Sequence, residues 1–333
     1  MDGALKPFCI GQIRVEFPVI LAPLAGYTDL AYRRICRQLG WPYCTTEMML
    51  DKSVLAHGKL QRRVLQLGDD EHPIAGQLIG NDSDTMARAA AVLQAVGFDV
   101  IDLNFACPVR KALARRRGGY LLQEPRRALD IVRGVLAAVD RPVTVKLRRT
   151  FKSGDTDDNF WRIIEGAFEA GAAAVCVHSR SVEQKYAGKA DWGFLAEVKR
   201  RLPDRTIIGS GDVLKPAEAL DMLQQTGVDA VAVARGALGN PWFFRQVQDL
   251  LARRQPYHPP IAEQRELLLR HYEAACRLYG QPDAPKIMRK FGARYARMHP
   301  SPRQVRTAFI AIKHPGDWRK VLDEYYRDGQ DMP

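Results

Sequence analysis

The 333-residue chain contains no run near the ~18 consecutive apolar residues that a membrane-spanning helix needs. Its opening, MDGALKPFCIGQ, also lacks the apolar core of a secretory signal, so a cytoplasmic location with no membrane partner is expected. The six cysteines (Cys9, Cys36, Cys44, Cys107, Cys176, Cys276) include no Cys-x-x-Cys pair. That spacing argues against a zinc knuckle, an iron–sulfur cluster and a secreted disulfide framework, and leaves free thiols and no metal as the expectation. Two nucleotide motifs are missing as well. GSGDVL lacks the third glycine of G-x-G-x-x-G and comes late in the chain, and no G-x-x-x-x-G-K-[ST] occurs. Rossmann and P-loop architectures are therefore excluded, and a nicotinamide cofactor would have to visit the protein without a fold of its own to hold it. Finally, acid is short: 38 Asp and Glu face 50 Lys and Arg, a formal charge of +12, which favours a polyanionic partner such as nucleic acid.

Against these absences, 46% hydrophobic and 26% charged residues are the proportions of a folded globular protein. Eight short β-branched runs alternate with amphipathic stretches: 19–26, 43–49, 74–80, 100–108, 143–149, 174–180, 206–212 and 230–236. Strands separated by segments of helical length indicate parallel βα units. Three junctions repeat one phrase, AVGFDVIDL, EAGAAAVCV and QTGVDAVAV, in which a helix stops at Gly and an apolar strand begins. That is the αβ turn of a barrel. The fold class read from this pattern is α/β, a (β/α)8 TIM barrel over residues 1–252. RRQPYHPP (253–260), with three prolines, reads as a linker. Only helical patterns follow, so 261–333 reads as a small all-helical C-terminal domain.

Barrels of this type place chemistry at the C-terminal ends of the strands. The residues there are Pro23, Leu24 and Ala25, then Glu47, Gln77, Asn104 with Cys107, Lys146 with Arg148, His178 with Arg180, Ser210, Gly211 and Asp212, and Ala234 with Arg235. The last two loops, GSGDV and ARGALGNPW, are small-residue turns at the strands that commonly build a phosphate site, although glycine can equally serve a tight turn. Lys146 ends a mostly buried strand, where an ammonium could stabilise charge on a reduced flavin or form a rim salt bridge. His178 could bind a cofactor or satisfy a backbone carbonyl. Cys107 is followed by Pro108, which stops ladder pairing and turns the thiol toward the site. No protease-like partner set accompanies it, so a proton-donor role is preferred to a nucleophilic one.

The ordered set LAPLAGYTDLAYRR, TTEMM, GQLIG, DLNFACPVRK, GGYLL, VTVKLR, VHSRS with QKYAGKADW, GSGDV and VARGALGNPW resembles the tRNA-dihydrouridine synthase family over nearly the whole chain, its bacterial B-type branch most of all. The resemblance implies a monomeric FMN-bound barrel that reduces uridines in tRNA to 5,6-dihydrouridine and is recharged by NADPH. It implies that Pro23, Leu24, Ala25, Gln77, Lys146, His178, Ser210, Gly211, Asp212, Ala234 and Arg235 hold FMN. Cys107 would be the acid that protonates uracil C5 after hydride reaches C6, and Asn104 and Arg180 would orient the uracil. Leu24, Ala106, Ser210 and Ala234 stand where the family usually has Met, Gly, Asn and Gly, which leaves the reduced position open.

Five of the eight residues from Arg110 to Arg117 are basic and follow Cys107 directly. In the C-terminal run KIMRKFGARYARMH, Lys286, Arg289, Lys290 and Arg297 can share a helix face that meets phosphates, while Phe291 and Tyr295 either pack inward or stack on bases. Two other functions fit parts of this pattern. A free-pyrimidine or dihydroorotate-type FMN dehydrogenase shares barrel, flavin and acid but leaves the basic C-terminal segment unexplained. A non-enzymatic RNA-binding protein on a degenerate barrel would bind RNA without flavin.

Overall fold

A computed structural model describes residues 5–327. The chain begins with a two-stranded antiparallel hairpin, β1 (Phe8–Ile10) and β2 (Ile13–Val15), which the sequence pattern does not announce. The barrel strands follow as β3 (Val19–Leu21), β4 (Cys44–Thr45), β5 (Met49–Leu50), β6 (Ile74–Ile79), β7 (Val100–Phe105), β8 (Val143–Arg148), β9 (Ala174–His178), β10 (Ile207–Ser210) and β11 (Ala230–Val233). All eight anticipated runs become strand, in parallel order, and the pairings β11–β3, β3–β4 and β4–β6 close the ring. The second run splits: Thr46, Glu47 and Met48 are not strand between β4 and β5, and of the three Met48 lines the barrel mouth.

Period-two alternation sorts the barrel interior into levels. Ile20, Ala75, Val100, Ala174, Ile208 and Ala230 fill the lower part together with Phe8, Ile10 and Val15 of the hairpin. One step up, Asp102 pairs in register with Gln77 and Thr144. Above them Asn104 lies beside Lys146, and Ser210 beside His178. The apolar end therefore anchors the strands and the polar end is left for the site. Outside, the helices end as the repeated phrase requires: Ser83–Val96, Asp158–Ala170 and Pro216–Thr226 are each capped by a glycine in the left-handed region, Gly97, Gly171 and Gly227.

Residues 254–260 carry neither helix nor strand, and helices Ile261–Tyr279, Ala284–Tyr295, Pro302–Ala311 and Pro315–Tyr325 follow. One hydrophobic cluster runs from the barrel's outer shell into these helices. Tyr32 of the barrel contacts the rings of His271 and Phe291, with centroids 5.6 and 5.5 Å away. Tyr279 donates to Asp29 at 2.7 Å, and Trp242 Nε1 donates to Glu263 at 2.5 Å. Gly239 meets the backbone of Arg294 so closely that a Cβ there would sit 2.2 Å from its carbonyl.

Candidate active site

The strand ends enclose a cavity of about 270 Å³ at the barrel mouth. Its wall includes Pro23, Leu24, Ala25, Gln77, Asn104, Cys107, Lys146, His178, Ser210, Gly211, Asp212, Ala234 and Arg235, which the sequence marks as a cofactor and reaction site. Residues from separate strands around the ring converge there because each occupies the same level of its own strand.

Beneath the mouth runs a hydrogen-bonded chain. Asn104 Nδ2 donates to Gln77 Oε1 at 2.7 Å, Gln77 Nε2 to Asp102 Oδ2 at 2.6 Å, and Thr144 Oγ1 to Asp102 Oδ1 at 2.7 Å. Burial pushes the Asp102 carboxyl up, opposed by the Thr144 and Gln77 hydrogen bonds and by nearby Lys146. The amide oxygen of Asn104 holds the backbone instead, since Oδ1 accepts the N–H groups of Ala106 and Cys107 at 3.1 and 2.9 Å. Asn104 thereby sets the turn that presents Cys107. Asp102 carries the chain but is not among the residues selected from the sequence, although a carboxylate two residues before Asn104 in a buried strand was the available signal.

Cys107 is 7% exposed. Burial raises its thiol above the usual range, with the Val109 N–H and Arg148 acting the other way. At neutral pH the sulfur therefore keeps its proton, as a general acid requires. The GG of GGYLL backs this loop: a Cβ on Gly118 would lie 2.8 Å from Cys107 Cβ, and the Gly119 N–H donates to the Cys107 carbonyl at 3.1 Å. Arg148 braces the other side, donating to the Ala106 carbonyl at 3.0 Å and to the Ser181 carbonyl at 2.8 Å.

Burial, with Arg148, Lys146, Arg180 and Arg235 close by, holds the His178 imidazole down at about 2, so the ring is neutral. Its Nδ1 accepts the Arg180 backbone N–H at 3.3 Å, which leaves the proton on Nε2 as a donor. Lys146 Nζ lies 3.1 Å from Cys176 Sγ, beside Asn104 in the ladder. Asp212 adopts φ of +55° and ties two cations together: Oδ2 accepts from Arg180 at 2.6 Å and Oδ1 from Arg235 at 3.0 Å. Burial raises the Asp212 carboxyl, but the Ala190 N–H and the two arginines outweigh it and hold the group low.

Arg180, expected to orient a substrate, is placed behind the cavity wall and not on it. Its side chain is 2% exposed, does not line the cavity, and donates to the Ala187 and Gly188 carbonyls as well as to Asp212. Three carbonyl and carboxylate acceptors draw the guanidinium behind the wall, so it shapes the 187–212 edge. The mouth also contains Met48, which stands in the 43–49 run beside Glu47 but is not among the residues selected from the sequence, and Val109, Tyr186 and Leu214, which sit on loops. Tyr186 is 54% exposed and stacks over the Arg235 guanidinium, 4.5 Å from ring centroid to Cζ. Among the described residues no cluster of His, Cys, Asp and Glu could hold a metal ion, and no helix is long and apolar enough to cross a membrane.

The donors fit a flavin. An ammonium, two side-chain amides, a neutral imidazole and a floor of Ala22, Ala232 and Ala234 match a flat ring with hydrogen-bonding edges. Gly236 has no room for a side chain, since a Cβ would meet the Val213 carbonyl at 2.5 Å, and this contact locks together the loops after β10 and β11.

A family model described as "Dihydrouridine synthase (Dus)" matches residues 20–329. A tRNA-dihydrouridine synthase B of Xanthomonas axonopodis pv. citri is 33% identical over 320 residues, 95% of each chain. A protein of Rickettsia conorii named as a probable tRNA-dihydrouridine synthase is 32% identical over 95% of this chain and 96% of its own. Among solved structures, histamine dehydrogenase from Rhizobium sp. 4-9 aligns over 82% of this chain with a TM-score of 0.60 at 15% identity. A 2-naphthoyl-CoA reductase aligns over 75% with a TM-score of 0.58 at 14% identity. This chain spans about half the length of those two proteins, 51% and 52%, and the likeness is one of barrel fold.

Proposed function

Because the chain belongs to the dihydrouridine synthase family, we propose that it is a flavin-dependent oxidoreductase that reduces uridines in tRNA to 5,6-dihydrouridine, with FMN as cofactor and NADPH as reductant. The observation that carries this reading is Cys107: a protonated thiol, held by Asn104 at the mouth of a cavity furnished for a flavin. Pro23, Leu24, Ala25, Gln77, Lys146, His178, Ser210, Gly211, Asp212, Ala234 and Arg235 would hold FMN. Bound there, FMN would supply hydride for uracil C6 and be recharged by NADPH. With FMN bound, Lys146 would supply positive charge to a reduced ring, and neutral His178 could donate through Nε2 without adding a second cation. Cys107 holds the proton that C5 must receive, and Asn104 keeps the thiol at that position. Leu24, Ala106, Ser210 and Ala234, the four departures from the family's usual residues, are small or conservative and leave the cavity open.

Reaction of the purified protein with unmodified tRNA and NADPH, followed by mapping of dihydrouridine, tests the activity. Absence of dihydrouridine at every position would refute it. Denaturation is expected to release FMN and no FAD, because the loops after β10 and β11 offer one phosphate site and the chain has no dinucleotide fingerprint. Chromatography of the released flavin checks this, and FAD as the product would overturn the assignment.

We assign tRNA contact to the barrel rim and to the C-terminal helices. Their basic face is narrower than the sequence indicated. Phe291 and Tyr295 are buried, and Arg297 donates to the Gly236 carbonyl of the barrel. Lys290 sits over the rings of Tyr27 and Phe291, 5.2 Å from each centroid. Lys286 is exposed and Arg289 is partly so. Reversing Lys286 and Arg289 to Glu is therefore expected to flatten the salt dependence of tRNA binding by about one unit of slope per lost phosphate contact. NADPH oxidation without RNA should not change. An unaltered slope would assign phosphate contact to Arg110, Lys111, Arg115 and Arg116 instead.

A further inference from the structure

A second cavity, of about 650 Å³, lies between the barrel mouth and the C-terminal helices. It shares Ala25 and Met48 with the first, so whatever fills it is the immediate neighbour of whatever fills the reaction site. Its charges are layered. At the rim stand Arg63 of helix Lys59–Val64 and Lys286 of helix Ala284–Tyr295, with Asp283 beside them, all exposed, two cations to one carboxylate. Helix Lys59–Val64 buries none of its residues, so its cations are free for an external partner. The inner wall carries the acceptors Glu47 and Asp29, with the Tyr279 hydroxyl, which already donates to Asp29 at 2.7 Å, and the buried Arg33, whose guanidinium is spent on Glu71 and on the Thr28 and Gln66 carbonyls. Glu47 leaves the strand ladder between β4 and β5, and its Oε1 accepts the Gly26 N–H. Among the described residues no donor reaches its Oε2.

A net positive rim over an inner wall whose unspent groups are acceptors fits a nucleotide whose phosphate stays at the rim while its base enters. An acceptor wall selects a base edge rich in N–H donors. Guanine presents two adjacent donors, N1–H and the N2 amino group, whereas adenine and cytosine offer one amino group each and uracil a single N–H. We propose that this cavity binds the nucleotide adjoining the reduced uridine and reads it as guanine, with Glu47 accepting from the donor edge. This deepens the tRNA-reducing function proposed above and rests on it. It makes Glu47 a determinant of which uridine is chosen, distinct from the groups that hold flavin or deliver the proton.

The test uses tRNA transcripts carrying guanosine, inosine, adenosine, cytidine or uridine at each nucleotide flanking the reduced position. Inosine removes only the N2 amino group. For the native protein, inosine in place of guanosine on one side is expected to lower kcat/KM at least tenfold, the usual order for one hydrogen bond to a charged acceptor. Glu47→Gln keeps an oxygen for the Gly26 N–H but replaces the free acceptor, and should abolish the guanosine–inosine difference. Its flavin content and RNA-free NADPH oxidation report that the barrel is intact. Equal rates for guanosine and inosine on both sides in the native protein, or an undiminished preference in Glu47→Gln, would overturn the proposal. Affinities of the same transcripts are measured in parallel. Should no transcript be reduced, the tRNA-reducing reading fails, while a guanosine preference in binding that Glu47→Gln erases would still uphold the cavity's role.

Discussion

Replacing Cys107 by alanine is expected to lower dihydrouridine formation by about 10²–10⁴-fold, the usual worth of a positioned general acid. The variant should keep its flavin and accept electrons from NADPH at the native rate, because the thiol's hydrogen-bond partner is the Val109 N–H and none of the groups assigned to the cofactor. Single-turnover reaction of the pre-reduced protein with tRNA separates the two half-reactions. The pH profile adds a second, independent signature. Burial holds the Cys107 thiol above the usual thiol range, and the acid works only while protonated. Native activity should therefore persist through neutral pH and fall as pH rises through that elevated value, a limb that Cys107→Ala should lack. An undiminished single-turnover rate in the variant would mean that water or another group supplies the proton.

Gly239→Ala is expected to cost about 3 kcal/mol or more, a sum of left-handed backbone strain and overpacking. Gly239 has φ of +72°, and a Cβ there would meet the Arg294 carbonyl carbon and oxygen at 2.2 Å and the Tyr295 nitrogen at 2.7 Å. Backbone cannot swing aside as the end of a side chain can, so the loop after β11 and helix Ala284–Tyr295 must separate. A loss of that size in a chain of this length corresponds to a fall in Tm of roughly 4 °C if the molecule melts as one unit. Differential scanning calorimetry and limited proteolysis read the result. An early, separate transition with cleavage near 253–260 would show that the helices undock first. Native melting and native protease resistance would show that the close approach is not needed for stability.

The barrel was legible in the sequence because its cause is local. Alternating strands and helices, with helices stopped at Gly97, Gly171 and Gly227, state a βα repeat without reference to distant contacts. The site was legible for the same reason: period-two alternation puts Gln77, Asn104, Lys146 and His178 on the inward face at one end of their strands. The hairpin β1–β2 escaped because two three-residue strands carry too short a pattern to stand out. Val109, Tyr186 and Leu214 escaped because loops follow no period.

Local pattern by itself determined the strand order, the polar end of the barrel, the cysteine at its mouth and the basic character of the chain. Which partner each polar group takes was decided only by tertiary structure, since hydrogen bonds join residues far apart in the chain. Arg180 stands at a strand end like His178, yet the carbonyls of Ala187 and Gly188 and the Asp212 carboxylate draw it out of the cavity. Arg297 belongs to a basic helical run, yet the Gly236 carbonyl turns it toward the barrel. Glu47 reads as one more strand residue until the ladder breaks around it and the C-terminal helices close a second cavity over its free oxygen.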